Sequence, residues 1–227
     1  MCSSDLFCSK IVRNPVDGSL TGASVSGGGY IVQTSLNIGA ATVSGIDFQS
    51  TYKLPLASFG SLGFALNGAL LLKDQTQPFP GGPTYDCAGL FGVVCGTVNP
   101  RWRHNVRTTW STPWNVQLAA TWRFIGKVSL DNNDPNPLLN GHSYLNQQTG
   151  GPAFNYFDAR LPNVSYIDLA ATWQAYKGVE IRAGMNNILD KDPPLVTSEI
   201  TAGGANNTYE TYDTLGRQLF VAFTAKF

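Results

Sequence analysis

The chain has 227 residues, with Lys+Arg 15 against Asp+Glu 15 and a formal net charge of +0. That balance excludes a nucleic-acid partner, which requires a basic face to displace counterions from phosphates. Charged residues make up only 13%, against 43% hydrophobic and 11% aromatic, a surface that does not mostly face water. Yet no run is apolar over the roughly 20 residues that a spanning helix requires, so any membrane must be crossed by strands.

In chain order, the opening MCSSDLFCSK holds no apolar stretch of the secretory kind and none that would support lipoprotein processing at Cys2. Met1 therefore reads as the start of a fragment. Residues 1–40 read as a truncated loop leading into the first strand, and residues 41–227 as a body of alternating strands. Ile46, Phe48, Tyr52 and Leu54 alternate with Asp47, Gln49, Thr51 and Lys53. After a turn at 55–60, Leu62, Phe64, Leu66, Leu70 and Leu72 oppose Ala65, Asn67, Ala69 and Lys73, with Leu71 as an exception. Trp102, His104, Val106, Thr108 and Trp110 oppose Arg103, Asn105, Arg107 and Thr109. From Trp114 the next strand runs through Val116, Leu118, Ala120, Trp122 and Phe124, opposing Asn115, Gln117, Thr121 and Arg123. Ile167, Leu169, Ala171, Trp173 and Ala175 oppose Asp168, Thr172, Gln174 and Tyr176. Val179, Ile181, Ala183 and Met185 oppose Glu180, Arg182 and Asn186, and the chain closes with Leu219, Val221, Phe223, Ala225 and Phe227. Successive side chains of a strand point to opposite faces, so each segment predicts a two-faced strand, about seven in all.

The connections are lopsided: short turns at 55–60, 111–113 and 176–178, and long excursions over 74–100, 131–163 and 191–216. Short turns on one rim and long loops on the other predict an antiparallel transmembrane β-barrel segment, with periplasmic turns and extracellular loops. Trp102, Trp110, Trp114, Trp122, Trp173, Tyr52 and Phe227 fall toward strand ends on the apolar face, where interfacial girdles sit. A soluble β-sandwich also alternates, but it carries more charge outside and more even connections. A small complete porin-like barrel is the other alternative.

Specific residues add a family resemblance. VEIRAGMNNILDKDPP (179–194) followed by YDTLGRQLFVAFTAKF (212–227) resembles the C-terminal end of TonB-dependent outer-membrane receptors. There an NN-[LI]-[FL]-D-K-x-P run closes the penultimate strand and a Y-x-x-x-G-R run opens the last. SGIDFQSTYKL (44–54) is similar to an SG-[IV]-[DE] strand of that family, and 86–114 resembles a disulfide-bearing loop with the strand that follows it. The resemblance implies the last third of a roughly 22-stranded plugged barrel. It implies import of a siderophore, cobalamin or oligosaccharide, and location in the bacterial outer membrane. The implied partners are outer-membrane lipid, the barrel-assembly machinery, which would read Phe223 and Phe227, and the TonB energy-coupling complex. The last would act through a plug domain that this chain lacks.

Cys87 and Cys95 share a long loop, and an oxidising compartment points to a disulfide there, against free thiols or a metal pair. Whether Cys2 and Cys8 pair is open. Asp47, Arg103, Arg107, Arg123, Asp168, Glu180 and Arg182 are expected to face the lumen, where they either touch a solute or plug or simply solvate a wet interior. Tyr144, Asn146, Phe154, Tyr156 and Tyr209 are candidate ligand-contacting residues of the long loops. Asp190–Asp192 beside Pro193–Pro194 reads as a turn. With no nucleophile elbow, zinc-ligand spacing or phosphate loop, no catalytic residue, metal or cofactor is predicted. An isolated set of about seven strands would leave two open edges, and transport by the fragment alone is not expected.

Overall fold

The computed structural model describes residues 8–20, 29–33, 39–140, 160–196 and 208–226. The chain divides after Ile38 into two units. In the first, Ile11–Val12 pairs antiparallel with Tyr30–Ile31. In the second, seven long strands form the wall: β1 (Ala40–Pro55), β2 (Ser61–Gln77), β3 (Trp102–Ser111), β4 (Val116–Ile125), β5 (Val164–Tyr176), β6 (Val179–Asn186) and β7 (Gln218–Ala225). Each pairs antiparallel with its sequence neighbours, so the wall is an unbroken meander from β1 to β7. Among the described residues β1 and β7 do not pair with each other, and the sheet stays open.

Register carries the sequence alternation across the whole wall. Tyr52, Phe64, Thr108, Ala120, Leu169, Met185 and Leu219 stand opposite one another, strand to strand. The next row is Leu54, Leu62, Trp110, Leu118, Ala171, Ala183 and Val221. Because the side-chain period is 2, a slip of one residue anywhere would interrupt both rows. The one irregularity in β1–β2 is a bulge, where Ser44 pairs Lys73 and Gly45 pairs Leu71. The apolar run around it follows from its surroundings: Leu71 lines a cleft on the polar face together with Val98 of the following loop.

The buried core does not lie on the apolar face. It gathers Phe91, Val98, Val128, Leu130, Leu161, Val196, Tyr209 and Tyr212 from the long connections, against Val164 and Tyr166 of β5. By register Tyr166 shares a row with Arg123, Asn105 and Asn67 on the polar face. The apolar face is left bare: Leu219 is 75% exposed, Val221 78% and Tyr52 62%. A soluble sandwich requires a second sheet on that face, and among the described residues none is there.

Several boundaries differ from the expectation. The fourth strand starts at Val116, not Trp114, because Asn115 adopts φ 58 and extends the turn. The first starts at Ala40, and the second continues to Gln77, past the expected loop start at Asp74. The long connections hold a small three-stranded sheet in which Leu90–Phe91 pairs parallel with Val128–Leu130, which pairs antiparallel with Arg160–Leu161. Strands of two or three residues show no period, so alternation could not reveal them.

Candidate functional site

Two surfaces carry chemistry: the bare apolar face and the polar face behind it. On the apolar face the aromatic residues gather toward the strand ends. Near the long-loop ends of β3 and β4, His104 stacks on Phe124 with centroids 5.0 Å apart and meets Trp122 edge-on at 4.6 Å. Trp102 Nε1 donates to His104 Nδ1 at 2.8 Å, and Phe48 meets the Trp102 ring at 5.8 Å. Gly68 makes room for that ring, since a Cβ there would lie 2.8 Å from Trp102 Cη2. Near the short-turn ends, Trp110 Nε1 donates to the Phe59 carbonyl at 2.9 Å, and Trp173 and Tyr52 are exposed. Trp114 sits in the turn before β4, exposed. Trp122 Nε1 reaches Ser165 Oγ at 3.2 Å. Rings with an apolar body and one satisfied polar atom suit the boundary between hydrocarbon and water.

The polar face holds Asp47, Arg103, Arg107, Arg123, Asp168, Glu180 and Arg182, each at a register position opposite in parity to the apolar rows. Of these, Arg123 and Asp168 are brought together: Nε donates to Oδ2 at 2.7 Å and Nη2 to Oδ1 at 3.0 Å. The same guanidinium donates from Nη1 to Asp213 Oδ1 at 2.9 Å, and it lies 4.9 Å from the Tyr166 ring centroid. Arg107 Nη1 reaches Thr121 Oγ1 at 3.4 Å, Arg182 lies over the Phe220 ring at 5.4 Å, and Glu180 accepts from Gln174 Nε2. Asp47 and Arg103 line a common open cleft with Gln49 and Asn105.

Asp213 escaped the sequence reading because it sits in a long loop, 90 residues from Arg123. Asn187 escaped it too. Its side chain is fully buried, with Nδ2 donating to the Lys191 carbonyl at 3.0 Å and Oδ1 accepting the Lys191 N–H at 2.9 Å. Its own N–H donates to Asp168 Oδ1 at 2.9 Å. The Asn-Asn-…-Asp-Lys run is therefore a folded turn that docks on the wall. Asp190 extends it by accepting the Arg217 N–H at 2.9 Å, with the Arg217 guanidinium 3.6 Å away. The two signature runs thus meet each other directly.

Cys87 and Cys95 form a disulfide with Cα atoms 5.4 Å apart. Its loop is fastened to Asp131, which is 0% exposed and accepts the N–H groups of Val94 at 2.8 Å and Cys95 at 3.0 Å. Gly92, at φ 142, faces that carboxylate so closely that a Cβ would lie 2.2 Å from Oδ1. Cys8 is disulfide-bonded, and Cys2 lies outside the described residues. Of the candidate ligand-loop residues, Tyr144, Asn146, Phe154 and Tyr156 lie outside the described residues, as does Phe227. Tyr209 is buried, edge-on to Phe91 at 5.8 Å, so its ring is committed to packing. Burial, and then the nearby Asp131 charge, push its phenol up to about 12, and burial drives Tyr212 higher still. Phe223 is exposed on the apolar face of β7. Among the described residues no group of three or more His, Cys, Asp or Glu side chains is placed to hold a metal.

Comparison with known proteins agrees with this arrangement. A family described as TonB dependent receptor-like, beta-barrel, matches residues 9–188. A crystal structure of a ferric enterobactin receptor (PfeA) mutant from Pseudomonas aeruginosa is similar at 19% identity and TM-score 0.50, over 82% of this chain and 22% of that one. A second mutant of the same receptor, in complex with enterobactin, is similar at 21% identity and TM-score 0.49 over the same shares. The chain thus spans 22% of the length of the solved structures it matches. No curated protein matches.

Proposed function

The chain belongs to the TonB-dependent receptor β-barrel family, which resides in the bacterial outer membrane, and from that premise we propose that it is the C-terminal part of the wall of a nutrient-import receptor. The observation that carries the reading is the pair of apolar rows running in register across all seven strands on a face that nothing among the described residues covers. Hydrocarbon satisfies such a face without hydrogen-bonding any backbone group, because every ladder bond lies within the sheet. Trp102, Trp110, Trp114, Trp122, Trp173 and Tyr52 would then be the girdle residues, and the polar-face charges would line a lumen.

The proposed cargo is a ferric siderophore, cobalamin or an oligosaccharide. Energy would arrive from the TonB complex through a plug domain, and the barrel-assembly machinery would read the last strand through Phe223 and Phe227. The domain reading follows: 41–227 as barrel wall, preceded by an extracellular loop segment over 1–40. By itself this wall does not transport, because β1 and β7 each have one neighbour and hydrocarbon does not tolerate unpaired strand edges.

The test is to produce the chain alone in a Gram-negative host lacking its own receptors and to measure two things. Fractionation should place it in the sedimentable fraction that only detergent brings into solution, and recovery in the soluble fraction without detergent would overturn the wall assignment. Uptake of labelled siderophore, cobalamin and oligosaccharide should stay at background. Saturable, energy-dependent uptake would overturn the claim of inactivity.

A further inference from the structure

Three carboxamides stand side by side on consecutive strands of the wall. Gln49 of β1 pairs with Asn67 of β2, Asn67 with Asn105 of β3, and Asn105 with Arg123 of β4. All three amide residues are exposed, and their parity puts them on the polar face. Neighbouring strands lie about 4.8 Å apart, so the amides form a ladder roughly 10 Å across. The ladder lines an open cleft of about 500 Å³. Asp47 and Arg103, one step nearer the long loops, line the same cleft, as does Thr211 of the last long connection.

The charge of this cleft is balanced. Asp47 and Arg103 carry opposite signs, and the Arg123 guanidinium is shared by Asp168 and Asp213. A site built for an anion gathers cations in excess, because complementary charge draws and selects a charged ligand. Here recognition falls to the amides. A carboxamide offers an acceptor oxygen and two N–H donors, and a hydroxyl both donates and accepts. One amide therefore engages two adjacent hydroxyls at once, and the ladder repeats that offer along a line. Asp47 adds an acceptor and Arg103 a set of donors at the rim. We propose that the Gln49–Asn67–Asn105 ladder is the wall's part of a binding site for a neutral oligosaccharide. The proposal rests on the receptor reading and selects one of its cargo classes, the uncharged polyhydroxylated one, over an anionic ferric chelate.

The chain is refolded in a zwitterionic detergent without a sugar headgroup, and maltotriose, cellotriose and xylotriose are added in turn. Saturation-transfer NMR reads which of them touches the protein, and at least one should. Asn67→Ala combined with Asn105→Ala should weaken that binding at least about tenfold. Gln117, an exposed amide of the same face that does not line the cleft, is the control. Gln117→Ala should leave binding unchanged, whereas ordinary solvation of a wet face predicts no difference between the two sites. The proposal is overturned if none of the three trisaccharides receives saturation or if the double variant binds as before. Equal loss in Gln117→Ala overturns it too, as does displacement of the trisaccharide by an equimolar ferric catecholate or cobalamin. If the double variant does not refold, Asn105→Leu, which keeps the size of the side chain, decides by a loss of about threefold or more. Sheet circular dichroism and the need for detergent report the wall separately. A chain soluble without detergent refutes the receptor reading, and a folded, detergent-dependent chain that takes no trisaccharide refutes the ladder alone.

Discussion

A guanidinium placed on either side of one strand tests the two-faced wall directly. Leu169 lies near the middle of β5, a 13-residue strand, and stands between Ala120 and Met185 in the apolar row. At about 3.4 Å per residue and a tilt of roughly 45°, a strand of that length rises about 30 Å, so Leu169 sits near the hydrocarbon midplane. Leu169→Arg there costs about 2–4 kcal/mol, a factor of roughly thirty to a thousand in the assembled fraction. Ala170, next in sequence, faces the other way, into an open cleft of about 410 Å³ shared with Thr121, Asp168 and Arg182. Ala170→Arg keeps its charge hydrated and should cost no more than about 0.5 kcal/mol. The assay is the fraction of each refolded variant that detergent micelles take up with its β-sheet circular dichroism intact. Equal losses at the two positions, or none at Leu169, would refute a lipid-facing apolar row.

Asp131→Asn replaces the charged acceptor of the Val94 and Cys95 N–H groups, and the Cys87–Cys95 bond should then be reduced by a phosphine about tenfold faster; an unchanged reduction rate would show that Asp131 does not fasten the loop. Tyr209 is raised to about 12 by burial and by Asp131. A phenol raised above its unfolded value near 10 contributes stability that is fully present below that value and is lost as pH rises through about 12. Ultraviolet difference absorbance should therefore show a phenolate appearing late, and earlier in Asp131→Asn; ionisation at the ordinary phenol value would contradict the buried placement. Asn187→Ala removes both side-chain bonds to Lys191 and places alanine at φ 50. Loss of about 2 kcal/mol or more is expected, read as faster amide exchange over 187–191, and unaltered exchange would rule out the docked turn.

What was legible in the sequence was whatever repeats. Wall strands of eight to seventeen residues carry enough alternation to declare both faces, and the short turns and long connections declare the two rims. Alternation places Trp114 in the fourth strand, two residues too early, because it does not sense the left-handed backbone at Asn115. Tyr209 looked like a loop aromatic open to ligand, because composition does not distinguish an aromatic in a loop from one in the core beneath it. Arg123–Asp213 and Asp131–Val94 were invisible for a common reason: each joins residues far apart in sequence, and no local period links them.

The position of the core explains why one half of the reading was easy and the other hard. In a water-soluble sheet the apolar row and the core coincide, so finding the one finds the other. Here the row is bare among the described residues, and the core belongs to the connections, packed against Val164 and Tyr166 from the polar side. The wall is specified by pattern and completed by lipid. The loop platform is specified by single contacts: a disulfide, a buried carboxylate, an asparagine turn and one shared guanidinium. Substitutions should divide along the same line. On the wall, polarity and face decide the outcome and many side chains are interchangeable. On the platform, a single carboxylate such as that of Asp131 or Asp213 ties a loop down, and a nearly isosteric change to the amide should loosen it.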